Sequence, residues 1–222
     1  MIDSKAWNWK IVKGDQEKYW LEPDMSVYFL ADKWQKENKK DFLDLGCGLG
    51  RHTNFFMRRG FKTSGFDLSE DAIARAREYA SSENLDIDFK IGDMLSLPYD
   101  DESFDAILCM NVISHTDTEG MKQIISELYR VLKKNGECYF TLGSKDSWGF
   151  QQDWPVVDAN TKLRQEDGPE NNIPHFYADY DLIYDLFNDK FDIVKIFQKI
   201  DYYIANDKKS ESYHWHCLVR KK

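Results

Sequence analysis

The fold of this chain is decided by one stretch, Phe42-Leu43-Asp44-Leu45-Gly46-Cys47-Gly48-Leu49-Gly50-Arg51-His52. An apolar run ends in three alternate glycines, and a helical pattern over residues 53–59 follows at once. This order predicts a strand, a tight turn and the start of a helix. Glycines in such a turn allow a ligand to come close to bare backbone, and the helix start directs free N–H groups towards that ligand.

The spacing of these glycines narrows the class of ligand. A dinucleotide fingerprint has glycine at its first, third and sixth positions, whereas here Arg51 fills the sixth position. The Gly-Lys-Ser/Thr ending of a P-loop is missing as well. Asp44 stands two residues before the first glycine, where its carboxylate is expected to accept from a ligand's ammonium group. A tight strand-to-helix turn without any ligand is the plain alternative.

Length and charge restrict the kind of protein. The chain has 222 residues, which suits one domain with a sizeable core. Its net charge of −9 argues against a nucleic-acid backbone or an anionic membrane as the main partner, since both favour a basic surface.

The compartment is expected to be the cytoplasm. Residues 1–7 contain no apolar leader segment, and no run of 18 apolar residues occurs. The four cysteines (Cys47, Cys109, Cys138 and Cys217) are far apart in apolar surroundings, without a Cys-x-x-Cys pair, so they are expected to be reduced thiols, mostly in the core.

A second strand is predicted over residues 61–66, and Asp67 follows it, 21 residues after Gly46. Nucleotide-binding α/β folds place a ribose-binding acid at about this distance, and a carboxylate can accept from both ribose hydroxyls. The alternative role for Asp67 is to help cap the helix that begins near Ser69 and is predicted over residues 70–81. Both roles are compatible.

Two further strand ends carry candidate site residues. After a strand predicted over residues 87–91, Asp93 is expected to accept from the exocyclic amine of adenine while Met94 or Leu95 packs on the ring; a turn aspartate is the alternative. The apolar run over residues 103–110 predicts a strand buried on both faces. Asn111 and His115 follow its carboxyl end, where doubly wound folds bind ligands.

The segment Leu45-Gly46-Cys47-Gly48-Leu49-Gly50 resembles motif I of the class I S-adenosylmethionine-dependent methyltransferases. The resemblance covers residues 40–143 and includes Gly92-Asp93, Ser103-Phe104-Asp105 and the stretch Leu132–Glu137. It implies an α/β, doubly wound, mostly parallel seven-stranded sheet, completed by an antiparallel hairpin over residues 190–219 with a turn at residues 206–210. It also implies S-adenosyl-L-methionine as cofactor, held by Asp44, Gly46, Cys47, Gly48, Gly50, Asp67, Leu68, Asp93, Met94 and Asn111.

The chain is expected to form one methyltransferase domain with four parts. These are an N-terminal arm and helix (1–38), the cofactor-binding core (40–143), an insertion (144–177), and a C-terminal helix and hairpin (178–222). Residues 1–23 and 144–177 are rich in aromatic side chains and show no clear helix or strand period. They are interpreted as one mobile cover over the acceptor pocket; the alternative is that their aromatic side chains only extend the core.

The predicted function is methyl transfer to a small-molecule acceptor. His115 is the candidate general base and His175 the second choice, although His115 could instead only hydrogen-bond its loop. His214 and His216 share one face of the last strand, but no third ligand is evident, so they are taken as solvent-facing and no metal site is predicted. The alternative functions are a non-catalytic S-adenosylmethionine-binding protein or a nucleotide-dependent oxidoreductase. Within the methyltransferase interpretation, a protein or RNA acceptor is also compatible with the sequence, although the acidic net charge disfavours RNA.

Overall fold

Helices and strands alternate along the computed structural model, which describes residues 4–205 and 208–222. Its helices are α1 (Asp15–Tyr19), α2 (Met25–Lys36), α3 (Arg51–Arg58), α4 (Glu70–Ser82), α5 (Thr118–Val131), α6 (Trp148–Gln151) and α7 (Tyr180–Phe187), and a 3-10 turn spans Trp9–Ile11. Its strands are β1 (Asp41–Leu45), β2 (Lys62–Asp67), β3 (Asp88–Ile91), β4 (Phe104–Cys109), β5 (Leu132–Ser144), β6 (Val156–Asp158), β7 (Thr161–Leu163), β8 (Pro174–Ala178), β9 (Phe191–Ala205) and β10 (Lys208–Lys221).

The sheet has the doubly wound order that the sequence predicts. Strands β3, β2, β1, β4 and β5 lie side by side and run parallel. Strand β10 pairs antiparallel with β5, and β9 pairs antiparallel with β10, which supplies the predicted C-terminal hairpin. The α/β fold class is therefore confirmed. Of the predicted turn at residues 206–210, positions 206 and 207 lie outside the described residues, and residues 208–210 already belong to β10.

The insertion adds strands beyond the seven that were predicted. Across the described residues the sheet contains ten strands, and its continuous path is β3-β2-β1-β4-β5-β8-β7-β6. The expectation that residues 144–177 lack regular structure is therefore wrong, since α6, β6, β7 and β8 all lie there or begin there. Strands of three to five residues are too short for a periodic pattern to show in the sequence.

The place of β8 follows from the register of β5. At Phe140, strand β5 pairs with β4 on one edge and with β10 on the other. At Gly143, β10 still occupies its own edge, so β8, which pairs there through Tyr177, lies on the edge that β4 has left. Strand β8 thus continues the sheet past the carboxyl end of β4, and this places the insertion next to the predicted ligand-binding edge.

Two amphipathic helices pack against the sheet. Helix α2 is capped by the Asp24 side chain and buries Val27, Leu30, Ala31 and Trp34 against the sheet. In α4 the buried positions are Ala72, Ile73, Ala76 and Ala80.

The core contains the cysteines. All four of them are free and buried, as expected for core thiols. Among the described residues, no helix combines the length and the apolar character needed to cross a membrane.

Candidate active site

The glycine loop between β1 and α3 is held tightly from two sides. The backbone N–H groups of Gly46 and Cys47 both donate to the carbonyl of Phe66, at 2.7 and 3.0 Å. Gly46 and Gly48 have positive φ angles of 74° and 52°. A Cβ atom at Gly46 would lie 2.5 Å from the side chain of Val112, and one at Gly48 would lie 2.6 Å from the ring of Trp9. Glycine is therefore required at both positions by backbone conformation and by space.

Asp67 supports Ser69, the residue that caps α4, and keeps capacity for a ligand. One carboxylate oxygen accepts from the Ser69 N–H and the other from the Gly48 N–H, each at 2.9 Å. Burial raises the pKa of this carboxyl, although both backbone hydrogen bonds act against the increase. An ionised carboxylate accepts about four hydrogen bonds, so the predicted ribose contacts are compatible with the capping role. Ribose recognition by Asp67 stays a prediction.

The other strand ends bring further predicted residues to the same place. Asp93 accepts from the N–H of Leu95 at 2.9 Å, which is the turn role considered as the alternative. Asn111 has a φ of 59°, and its amide oxygen accepts from the hydroxyl of Thr141 at 3.0 Å. A left-handed asparagine at a strand end is a strained conformation of the kind found at binding sites.

Three predicted cofactor residues occupy less direct positions. Asp44 is 2% exposed beneath the loop and accepts from the Thr53 hydroxyl at 2.6 Å. Burial raises the pKa of Asp44 to about 6. Gly50 is the N-cap of α3, and neither it nor Asp44 is among the described residues that line the cavity. Cys47 lines the cavity, but its thiol is buried, and burial raises its pKa well above the usual value.

One cavity of about 520 Å³ joins these strand ends to the insertion. We call its first part the cofactor half; the predicted residues that line it are Gly46, Cys47, Gly48, Asp67, Leu68, Asp93, Met94 and Asn111. We call its second part the acceptor half; it is lined by His115, Arg164, Glu166, Glu170, His175 and Tyr177, among others. The lining of the cavity therefore changes along its length, from backbone groups and short acids to long charged and aromatic side chains.

Two histidines and a carboxylate meet in the acceptor half. The Nε2 atom of His115 lies 3.7 Å from one oxygen of Glu170, and the Nε2 atom of His175 lies 3.6 Å from the other. The two imidazole rings contact edge to face, with 4.9 Å between their centroids. Because β8 continues past β4, the two candidate bases of the sequence analysis come together although they are distant in the chain.

Charged partners fix this group. Arg164 pairs with Glu170 through Nη1 and with Glu166 through Nη2. Burial, and secondarily the charge of His175, lowers the pKa of His115 to about 3, so its ring is neutral at physiological pH. Burial alone would raise the pKa of Glu170, but His175, His115 and Arg164 together hold it well below its usual value. Such a weakly basic His115 is a poor general base near neutral pH.

The N-terminal arm and the insertion meet over the cavity. The N–H of Asn8 donates to the carbonyl of Pro169 at 3.0 Å. Trp7 and Trp9 contact edge to face at 4.5 Å between ring centroids, and both rings line the cavity. Trp9 and Val12 are also buried against Leu49, so the arm packs on the core as well as covering the cavity. Whether this cover moves stays a prediction.

The last strand corrects one expectation and adds one residue. His216 is only 6% exposed, and its Nδ1 lies 2.6 Å from the hydroxyl of Tyr139. His214 lines the cavity. Both were expected to face solvent; this is wrong for His216, because Tyr139 and Phe197 pack against its ring, and half-buried His214 faces the cavity.

Sequence reasoning also missed Arg164 and Glu170. The acidic, glycine- and proline-containing stretch over residues 166–170 predicts only a turn, and nothing in it signals proximity to His115. Comparison with a solved structure that shares the insertion would identify Arg164 and Glu170 as site residues.

Comparison with known proteins supports the same interpretation of the fold. Residues 42–136 match the model of the methyltransferase domain family. The chain is 29% identical over 102 residues to a ubiquinone biosynthesis O-methyltransferase of Coxiella burnetii, a match that covers 46% of this chain and 43% of that protein. The chain spans less than half the length of the first curated relatives that it matches.

Two solved structures share the fold over most of the chain. The PH0226 protein of Pyrococcus horikoshii superimposes with a TM-score of 0.73 at 22% identity, covering 96% of this chain and 94% of that one. A SAM-dependent methyltransferase of Methanosarcina mazei gives a TM-score of 0.68 at 21% identity, covering 82% and 92%. The match to the PH0226 protein covers nearly the whole chain, so it extends the shared fold beyond residues 42–136.

Residues 42–136 thus match the methyltransferase domain model, and the chain shares its fold with a solved S-adenosylmethionine-dependent methyltransferase. The cofactor of that class is S-adenosyl-L-methionine, and the cofactor half has features that fit it. Its glycine loop leaves no room for a Cβ atom at two positions, and Asp67 keeps free acceptor capacity at the end of β2. The predicted contacts of the amino-acid end with the glycine loop, of the ribose with Asp67 and of the adenine with Asp93 and Met94 stay predictions.

Proposed function

We propose that this protein transfers a methyl group from S-adenosyl-L-methionine to a small polar molecule bound in the acceptor half. The observation that carries the proposal is the single cavity, which runs from the glycine loop to the charged group on the insertion. A cavity of about 520 Å³ suits a small acceptor beside the cofactor. The charges of Arg164, Glu166 and Glu170 favour an acceptor with polar or ionic groups.

When bound, the cofactor supplies a methyl group activated by its positively charged sulfur. The protein then has to align the acceptor atom in line with that methyl group and to exclude water. The glycine-loop backbone and Asp67 would fix one partner, and the acceptor half would fix the other. Alignment of this kind is worth an effective molarity on the order of 10⁵ M or more, and the arm and insertion that meet at Asn8 and Pro169 would keep water out.

Calorimetry followed by an acceptor screen tests the proposal. We expect S-adenosylhomocysteine to bind with one-to-one stoichiometry and NAD to show no measurable binding. A panel of hydroxyl, amine, thiol and carboxyl acceptors, incubated with the methyl donor, should contain at least one that gains a methyl group by mass spectrometry. NAD binding in place of S-adenosylhomocysteine would support the oxidoreductase alternative. Cofactor binding without transfer to any member of a broad panel would support a non-catalytic binding protein.

The same proposal includes the setting in which the protein works. Four buried free cysteines fit a reducing compartment such as the cytoplasm. The net charge of −9 disfavours a nucleic-acid acceptor.

A further inference from the structure

We infer that His115, Glu170 and His175 form a binding site for one divalent transition-metal ion, of the kind that zinc represents. Each residue offers one ligand atom, and these atoms lie within 4.8 Å of one another. Two imidazole nitrogens and one carboxylate oxygen are a ligand set that zinc and similar first-row metals favour, with further positions left open. The inference rests on the proposed function only for what the ion would do, and not for its binding.

The distances within the group fit a shared ion better than direct hydrogen bonds. At 3.6 and 3.7 Å, the Nε2 atoms of the two histidines are too far from the Glu170 oxygens for good hydrogen bonds. Ligand atoms that lie about 2.0–2.2 Å from one zinc ion are separated by roughly 3–3.5 Å in tetrahedral geometry. The pair formed by His115 Nε2 and the nearer Glu170 oxygen needs a shift of a few tenths of an ångström to share an ion, whereas His175 faces the other oxygen and has to move further. Because no two ligand atoms are more than 4.8 Å apart, the largest approach required is roughly 1.5 Å.

The orientation of His175 is set for coordination. Its Nδ1 lies 3.0 Å from the carbonyl of Ile173, which can only accept, so Nδ1 is the nitrogen that donates. Nε2, the atom that points at Glu170, is therefore the nitrogen that offers a lone pair when the ring binds a metal ion. A backbone carbonyl behind a histidine is the usual partner that fixes a ligating imidazole.

Glu170 is likewise oriented by a neighbouring side chain. Arg164 holds one of its oxygens through Nη1, and this leaves the other oxygen, which is the one nearer His115, for the ion. Two of the three ligands thus have partners that orient them, as outer-shell groups do in metal sites. A second carboxylate, Glu166, balances the arginine on its far side.

The position of the site gives the ion a role in activating the acceptor. All three residues line the acceptor half, so an open coordination position would face an acceptor hydroxyl. A bound divalent cation lowers the pKa of a coordinated hydroxyl, whose proton passes to solvent. The acceptor oxygen then forms its bond to the methyl carbon as the carbon–sulfur bond of the cofactor breaks, which leaves a neutral thioether. This assignment also removes the difficulty that His115 is a weak base.

Metal titration of the full chain tests the site without any acceptor or methyl donor. After treatment with EDTA and dialysis, the protein should bind one Zn²⁺ by calorimetry, and Co²⁺ should give a visible absorption band typical of nitrogen and oxygen ligands. His115→Ala, His175→Ala and Glu170→Gln should each weaken Zn²⁺ binding at least tenfold. Glu119→Gln is the control for the loss of a carboxylate, because Glu119 pairs with Lys122 on the exposed face of α5 and does not line the cavity; it should leave Zn²⁺ affinity within threefold.

Thermal unfolding shows which variants are folded, and only folded variants are compared for Zn²⁺ affinity. The inference is overturned if the folded wild type binds no Zn²⁺ or Co²⁺, or if all three ligand variants bind as tightly as the wild type. The proposed function fails separately: metal binding with no methyl transfer to any acceptor would remove the function and keep the site. Full methyl transfer by EDTA-treated protein that binds no metal would keep the function and remove the site.

Discussion

The cofactor half and the acceptor half of the cavity are built in different ways. The cofactor half uses backbone groups and short acids at successive strand ends, and each is fixed by near neighbours, as Asp67 is by the N–H groups of Gly48 and Ser69. The acceptor half uses long side chains from the β4–α5 loop, the β7–β8 loop and β8. The cofactor half therefore keeps a fixed geometry for one cofactor. In the acceptor half, changes in the loops can alter which acceptor binds without disturbing the sheet.

The largest effect should come from the acceptor half. His115→Asn removes an imidazole that faces both Glu170 and His175. We expect kcat/KM for methyl transfer to fall about 100-fold or more, whether the ring acts as a base or as a ligand. Affinity for S-adenosylhomocysteine, measured by calorimetry, should stay within twofold of the wild type. A comparable loss of cofactor affinity would show that the two halves are not independent.

The next effect concerns stability beneath the cofactor half. Asp44 has its pKa raised to about 6 by burial, from an ordinary value near 3.8. The folded state therefore holds the proton more tightly than the unfolded state, and stability is lost as pH rises from about 4 to about 6. A shift of roughly two pKa units corresponds to about 3 kcal/mol. Urea unfolding should show this decline in the wild type and a flatter profile in Asp44→Asn.

The same pH series tests the predicted contact of Asp44 with the ammonium end of the cofactor. An ionised Asp44 would favour that end, so wild-type affinity for S-adenosylhomocysteine should rise from pH 4.5 to pH 6.5, as Asp44 ionises with its raised pKa of about 6. Asp44→Asn should lack the rise. Identical affinity profiles in the two proteins would assign Asp44 to the loop's own structure, through Thr53.

Asp67→Ala should weaken S-adenosylhomocysteine binding about 10- to 150-fold, or about 1.5–3 kcal/mol, by removing charge-assisted hydrogen bonds to ribose. The matched control is Asp179→Ala, which removes a cap from α7, where Asp179 accepts from Leu182, and should cost about 1 kcal/mol of stability. Its cofactor affinity should not change. An Asp67→Ala protein that unfolds more easily but binds normally would leave only the capping role.

Gly48→Val should weaken S-adenosylhomocysteine binding at least tenfold, about 1.4 kcal/mol. Two causes compete, since the new side chain would meet the ring of Trp9 as well as the space for the ligand. The variant Gly60→Val is the control for backbone strain alone, because Gly60 has a φ of 85° and open space around it. In a Trp9→Ala background, a persisting tenfold loss would point to the ligand, and recovery would point to Trp9.

The smallest and least direct effect concerns the cover. If the arm and the insertion move together, limited proteolysis should cut early near residues 1–20 and 158–172, and cofactor alone or with acceptor should slow both cuts. Disrupting the shared Asn8–Pro169 contact by deleting residues 1–8 should then speed cleavage in the insertion. Equal resistance at both segments in free and bound protein would leave a fixed wall, with the aromatic side chains serving only the core.

The sequence alone determined the cofactor half because its signals are local. Alternate glycines after an apolar run, acids directly after strands, and cap residues before helices depend on neighbours within a few positions. Parallel strands then bring all their carboxyl ends to one edge. For this reason Gly46, Gly48, Asp67, Asp93 and Asn111 could be placed at one edge before the structure was known.

Only the tertiary structure decided the acceptor half. Strands β6 to β8 are too short to show a period, and the pairing of Gly143 with Tyr177 that places β8 leaves no local signal. That pairing brings His175 to His115 and brings Arg164 and Glu170 to both. Packing of Tyr139 and Phe197 against its ring likewise buried His216, which the sequence analysis had left facing solvent. Contacts between residues far apart in the chain depend on which strand edge stays open, and local sequence does not specify that.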